Sequence, residues 1–424
     1  MGGQRTCPMA RQGLARYATT TADAASRATW DVVVIGAGPA GSLAARELAR
    51  DGRRVLLVDR NTFPRDKVCG CCLSGAALNA LDAAGLGSLA DACGARPLRS
   101  LRFTAVNRSA DLALAKSVSL SRARLDTELV GAAIHGGADF LDNTRAIVGS
   151  RTQDECEIEL KTGSDRTTVT ARIGRVAGGL GARAFAEPDE RQTAVGSRIG
   201  AGVVLPGTHR NFSDGVIHML CHRSGYVGMV LLEDGRLDIA AALDGLAVKR
   251  AGGIAPLVCS ILQDSKCPLP ADMETAEWHG TTKLTQYRAA LYGNRYFVVG
   301  DAAGYVEPFT GEGIGWAMTT GRSVVPYVIK ALQEGTECAG PWWEKRHREL
   351  LGQRMRMCRL ISGALRYPKF VTAAVGLLSF MPGLAKPFIN AIDASLQRDD
   401  KLPRRELRGG DEQDAARFHD QAAW

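Results

Sequence analysis

Aromatic residues are scarce in the 424-residue chain: six Trp, eight Tyr and eleven Phe make up 6% of it. Basic and aromatic residues never alternate in the manner that tracks nucleic acid. The net charge of +8 therefore reads as a solvated basic surface, and no nucleic-acid partner is expected. No apolar run reaches the roughly twenty residues that a bilayer span requires. The first thirty residues hold no apolar h-region, so no secretory signal is expected. That segment is Arg/Ala/Ser/Thr-rich and acid-poor, a composition shared with transit peptides, and residues 1–30 are taken as a disordered lead-in. No serine nucleophile elbow, internal repeat or low-complexity block is present. The seven histidines form no His-Glu-x-x-His pair. His218 and His222 lie four apart in a strand-like context, which puts them on one face but too far apart to share an ion. No metal is expected. Eleven cysteines are too irregularly placed for a disulfide framework, and the chain is too large to depend on one. Reduced thiols in the cytoplasm follow.

What is present begins with DVVVIGAGPAGSLAARELARDGRRVLLVDR, residues 31–60. Val32 to Ile35 form a continuous apolar run, as a strand buried on both faces requires. Glycines follow, then a helix carrying Leu43, Ala44 and Leu48 on one side. Asp51-Gly52 stops it, and Val55 to Val58 give a second buried strand, completing a βαβ unit. Residues 76–92 read as helix. Residues 98–118 read as short strands, and 121–140 as a helix with Leu125, Leu129, Val130 and Ala133 inward. From about 190 to 280 the pattern turns to strands with turn signals, including a hairpin at Glu233-Asp234-Gly235. RYFVVGDAAG (295–304) returns to the α/β style, and a helical tail follows Gly313. The fold class expected is α/β: a Rossmann-like domain with an inserted antiparallel sheet and a helical C-terminal part. The split domain takes residues 31–185 and 281–330, the substrate-covering sheet 186–280, and the helical region 331–424.

Gly36-x-Gly38-x-x-Gly41 lies directly after a buried strand and opens a helix, which makes it a dinucleotide fingerprint. The first glycine permits the tight turn, the second lets backbone approach a pyrophosphate, and the third lets the helix pack on the strand. The free N–H groups of the helix start favour phosphate. Asp59 stands where an acidic residue meets ribose hydroxyls. NAD and FAD share this fingerprint, so VVGDAAGYVEPFTGEGIGWAMTTGR (298–322) has to decide between them.

Together the two motifs resemble the FAD-binding fold of the glutathione-reductase type, in the branch of aromatic hydroxylases and geranylgeranyl reductases. The resemblance covers most of residues 31–330. It implies a cofactor site made of Gly36, Ala37, Gly38, Pro39, Ala40 and Gly41, with Asp59 and Arg60 after the second strand. Lys67 and Cys69 follow in the next loop. Arg122, in R-x-x-L-D, joins them with Gly300, Asp301, Pro308, Gly311, Glu312 and Gly313. GYVEPFTGEGIGWAM and FPRDKVCG (63–70) are similar to the geranylgeranyl reductases. YVGMV (226–230) keeps only the tyrosine of their Tyr-x-Trp-x-Phe motif. Gly178-Gly179 stands where hydroxylases carry Asp-Gly, which bears on NAD(P)H handling. No Trp-x-Trp motif of the flavin-dependent halogenases is present. The implied activity is FAD-dependent reduction of a C=C bond in an apolar, isoprenoid or lipidic substrate, with NAD(P)H as a transient donor. A monooxygenase hydroxylating an aromatic or polyketide-like substrate with NAD(P)H and O₂ stays open, as does a flavin-binding module without turnover.

Three further features carry expectations. Cys69, Cys71 and Cys72 sit in DKVCGCCLSG (66–75), and no partner pair at zinc spacing completes a metal site. Cys69 is expected at the flavin's wall, with Cys71 and Cys72 as filler, and a Cys69–Cys72 redox couple remains an alternative. Catalytic candidates are Cys69, Tyr226 and Tyr305, the tyrosines having packed-aromatic roles as the alternative. FVTAAVGLLSFMPGL (370–384) is expected as a helix covering the substrate, or as peripheral contact with a membrane surface. Nothing in the chain sets an oligomeric state.

Overall fold

Val32, Val33 and Val34 are completely buried in the computed structural model, as are Leu56 and Leu57. Described here are residues 17–181, 183–186, 191–307, 309–387 and 389. The fold is α/β. The strand Thr29–Ile35 pairs in parallel with Val55–Val58 on one side and Asp165–Val176 on the other. Asp139–Leu141 extends the sheet beyond Val55–Val58, and Tyr296–Val298 extends it beyond Asp165–Val176. The chain thus returns to its first sheet after about 120 residues spent elsewhere. The helix Pro39–Arg50 buries Leu43, Ala44 and Leu48 and packs against the helices Arg122–His135 and Gly313–Ser323. Ser121 caps the former through Arg124 N–H at 3.2 Å, and Leu125, Leu129, Val130 and Ala133 are all buried.

The second sheet has eight strands. Ile199–Leu205, Leu237–Leu243, Gly225–Leu231 and Val216–His222 lie side by side and antiparallel. Leu231 pairs with Leu237 across the expected hairpin turn. The helix Ile254–Asp264 packs its apolar side into the core of this sheet.

Its membership departs from the sequence reading. Arg96–Ala105, Arg108–Ser119 and the short Cys72–Leu73 belong to this sheet, not to the Rossmann-like one. Arg96–Ala105 joins Val216–His222 in parallel. Arg108–Ser119 alternates buried and exposed positions along its first half, the mark of a sheet wet on one face. Partner choice across more than a hundred residues left no local trace.

A second correction concerns the lead-in. Residues 17–28 are ordered against the sheet. Thr21 caps a short helix, Ala22–Ser26, and Trp30 Nε1 donates to Ala25 O at 2.9 Å. Thr19 N–H donates to Phe140 O at 2.9 Å. A buried tryptophan and an N-cap suffice to anchor this stretch; residues 1–16 lie outside the described residues. The helix read over 76–92 is in fact two, Gly75–Ala83 and Leu89–Ala92, with the break around Gly85.

The C-terminal helices close the molecule. Thr336–Ala364 runs beneath the first sheet's edge, and Pro368–Phe380 lies across Arg96–Ala105 and Arg108–Ser119. Among the described residues no helix is long and apolar enough to cross a membrane.

Candidate active site

The turn after the first strand is shaped by what a side chain would strike. Gly36 has φ +106°, and a Cβ there would lie 2.6 Å from Ala177 O. A Cβ on Gly41 would collide with the Gly36 carbonyl oxygen. Only glycine allows the helix to start this close to the strand. Gly38 is the N-cap and has no side-chain cap, so the first N–H groups of Pro39–Arg50 remain available to a ligand. Ser42 Oγ, in the same first turns, is buried without a hydrogen-bond partner.

Charge converges on this turn from three elements. Arg122 donates to both oxygens of Asp126, at 2.9 and 2.8 Å. Arg65 bridges Asp126 at 3.2 Å and Asp59 at 3.5 Å. Both guanidinium groups come within about 4 Å of the space over Gly38. Asp59 is buried and accepts Ala37 N–H at 2.8 Å, so the acid at the strand end also braces the glycine turn. Its other oxygen takes Asn61 N–H and Nδ2, each at 3.0 Å. Arg60 is exposed and does not line the cavity.

A cavity of about 670 Å³ opens from this turn. Gly38, Pro39, Ala40, Lys67, Cys69, Arg122, Gly300, Asp301, Gly311 and Gly313 all line it, so the structure brings together the two distant glycine motifs. Lys67 Nζ lies 3.8 Å from Asp301. Burial and the neighbouring Arg122 push the Lys67 ammonium below its usual range. Glu312 departs from the expectation. Its side chain is fully buried away from the cavity, paired with Arg354 and accepting Thr310 Oγ1 at 2.8 Å. It anchors the second glycine loop to the Thr336–Ala364 helix. Pro308 lies outside the described residues.

Cys71 is not filler. It is buried with φ +49°, a strained region for a non-glycine residue, and its thiol interacts electrostatically with both Cys69 and Asp238. Cys69 faces the cavity. Its hydrogen bond from Cys71 and the nearby Arg122 guanidinium outweigh burial and bring its thiol down to about 5. Cys71 is held correspondingly high by that hydrogen bond and by burial. Asp238, buried in Leu237–Leu243, has its carboxyl pushed far above the usual range by burial and by the charge on Cys69. Cys72 donates to Gly70 O at 3.0 Å, and burial raises its thiol. None of the described cysteines is disulfide-bonded.

Tyr226 and Tyr305 both line the cavity, and burial raises both phenols, so they keep their O–H protons. Phe309 stacks edge-on against Tyr226 and Phe103, at 5.2 and 5.6 Å. A buried ion pair, Arg198 to Glu307 at 2.7 Å, supports this aromatic wall from behind. Among the described residues no cluster could hold a metal ion, and His218 and His222 are engaged separately.

Arg65, Asp126, Asp238, Arg198 and Arg354 were not singled out in the sequence. Asp126 stands in the R-x-x-L-D spacing, four residues from Arg122. Asp238 is a lone acid in an apolar strand, itself a signal of function. Arg65 carries no comparable mark.

The donor set fits FAD. The uncapped helix N–H groups with Arg65 and Arg122 would hold a pyrophosphate, and the second glycine-rich helix start, through Gly311 and Gly313, lines the same cavity. Residues 29–183 match the family model described as FAD binding domain. The chain carries an FAD-binding domain and is similar in sequence to FAD-dependent oxidoreductases. The menaquinone reductase of Mycobacterium tuberculosis is 28% identical over 80% of this chain and 85% of its own length. Digeranylgeranylglycerophospholipid reductase 2 of Methanopyrus kandleri is 26% identical, over 72% and 78% respectively. The solved myxobacterial chondrochloren halogenase superposes with a TM-score of 0.70 at 19% identity, covering 84% of this chain and 90% of that one. That last likeness is one of fold. The chain is an FAD-dependent enzyme, and its glycine turns and arginines are the residues that would hold the cofactor.

Proposed function

We propose that this FAD-dependent oxidoreductase reduces C=C bonds in an apolar isoprenoid or lipidic substrate. The observation that carries the reading is the cavity's second half. Beyond Cys69 its wall is aliphatic and aromatic, with Leu101, Phe103, Leu112, Met219, Leu365 and Val371 among its lining. It continues as far as Ala385, under the Pro368–Phe380 helix. Such a wall suits a flexible chain, since a polar ring buried there would leave its groups unpaired. The names of the two reductase relatives point the same way.

Bound and reduced, FAD supplies a hydride equivalent to one carbon of the double bond. The neighbouring carbon needs a proton, and the chain holds one. Its proposed source is the Asp238 carboxyl, whose pKa burial and the charge on Cys69 raise above the usual range, acting by way of Cys69 at the cavity wall. Arg122 stabilises Cys69 as a thiolate between turnovers. Tyr226 and Tyr305 present neutral O–H groups that orient the substrate. The C-terminal helix excludes water. NAD(P)H is the proposed donor, bound transiently.

Anaerobic incubation of the FAD-loaded protein with NADPH and a polyprenyl substrate tests this. The expected product gains two hydrogens per double bond without consuming O₂. An oxygenated product formed only with O₂ establishes the monooxygenase alternative instead, and a flavin that no donor reduces leaves a binding module.

A further inference from the structure

Of the eleven large apolar side chains exposed among the described residues, seven fall between Leu360 and Leu384. Phe380 is 84% exposed, Leu360 76%, Tyr367 68% and Phe370 61%. They occupy the outer side of the Pro368–Phe380 helix and the chain on either side of it. The inner side of the same helix, through Val371, Ala374 and Leu378, lines the cavity. Phe370 and Leu384 do both, which places a mouth of the cavity in the middle of this face.

Charge on the face is of one sign. Residues 350–387 contain Arg354, Arg356, Arg359, Arg366, Lys369 and Lys386 and no Asp or Glu. Arg354 is buried with Glu312, while Arg356, Arg366, Lys369 and Lys386 are exposed. The one carboxylate on the underlying strand Arg108–Ser119, Asp111, is held by Arg102 at 2.8 Å. A second copy docked through this face would bring like charges together. Residues 390–424 carry no apolar run that could cover it.

We propose that this face docks on an anionic lipid surface, the aromatic and aliphatic groups entering the acyl–headgroup boundary and the cations meeting phosphates. Docking stands on the surface alone. That the substrate enters the cavity through this face rests on the reading of the substrate as an apolar chain.

The test is flotation of the FAD-loaded full chain with phosphatidylcholine vesicles, with and without phosphatidylglycerol. The chain floats with the anionic vesicles and is released by high salt. Leu377→Ser with Phe380→Ser weakens binding by about 10-fold, and Lys369→Glu with Lys386→Glu does the same. Both variants keep the flavin spectrum, and both turn over detergent-dispersed substrate at the wild-type rate. No flotation, or equal flotation with neutral vesicles, overturns the proposal. So does a dimer in light scattering that Phe380→Ser dissociates, since the face then belongs to a second copy. Binding that appears only after residues 390–424 are removed overturns it too, because the chain's own end is then the occupant. A chain that floats but reduces no polyprenyl substrate refutes the reductase reading and leaves docking intact.

Discussion

Gly36 and Gly41 meet backbone, which cannot move aside as a flexible side chain can. Gly41→Ala is therefore expected to displace the Pro39–Arg50 helix and abolish FAD retention. Gly70→Ala, with nothing within 4 Å of its Cβ, keeps the cofactor. The ratio of flavin to protein absorbance after purification, with circular dichroism as a folding check, decides between them. The cysteines divide similarly. Cys69 titrates as a thiolate near 5 because Cys71 donates to it. In Cys71→Ala that titration, followed by thiolate absorbance, moves up towards the ordinary thiol range. Asp238→Asn is expected to lower turnover by about 100-fold, the low end of what a positioned proton donor contributes. In the wild type, turnover falls as pH rises through the raised Asp238 pKa. The Asn variant loses that limb of the profile while retaining flavin; an unchanged profile removes Asp238 from the proton path.

The Thr336–Ala364 helix carries a buried group, His347, whose charge state bears on how the helical region is held. His347 sits against Trp343, and burial, then Arg348, brings its imidazole down to about 4. The unfolded chain takes up that proton near 6.5, where the folded chain declines it. Stability is thus intact above pH 6.5 and is lost as pH falls towards 4, by on the order of 3 kcal/mol for a shift of this size. Urea midpoints measured at pH 7 and pH 5 should diverge in the wild type and diverge less in His347→Phe. Arg198 and Glu307 are both buried, so Glu307→Leu strands a cation and should cost about 3–5 kcal/mol. Arg198→Met in the same chain should recover much of that loss. The helices and their caps were legible because their periodicity is local. Strands Arg96–Ala105 and Arg108–Ser119 were seen as strands but not as members of the second sheet, because pairing depends on residues more than a hundred positions away.

The cofactor site draws on both ends of the Rossmann-like sheet and on loops that follow each. FAD should therefore stabilise the whole fold and not one lobe. Excess FAD at about 100 times its dissociation constant adds about 2.7 kcal/mol, and calorimetry should show one transition moving upward as a unit. Two transitions, of which only one responds, would show that the sheets unfold independently.

The two glycine turns could be read directly, because phosphate binding by backbone demands particular residues at short spacing. From them came the fold class and the cofactor. The loop of Cys69 and the position of Arg122 were legible only through the family resemblance. The cysteine loop's role could not be read so. Whether Cys71 is spacer or part of the site depends on Asp238, which a strand of the other sheet carries to it from more than 160 positions away. The apolar half of the cavity is likewise built from side chains of the second sheet's inner strands and a C-terminal helix. Its shape exists only where those elements meet, since hydrophobic packing specifies volume through contacts distant in the chain, and volume leaves no motif.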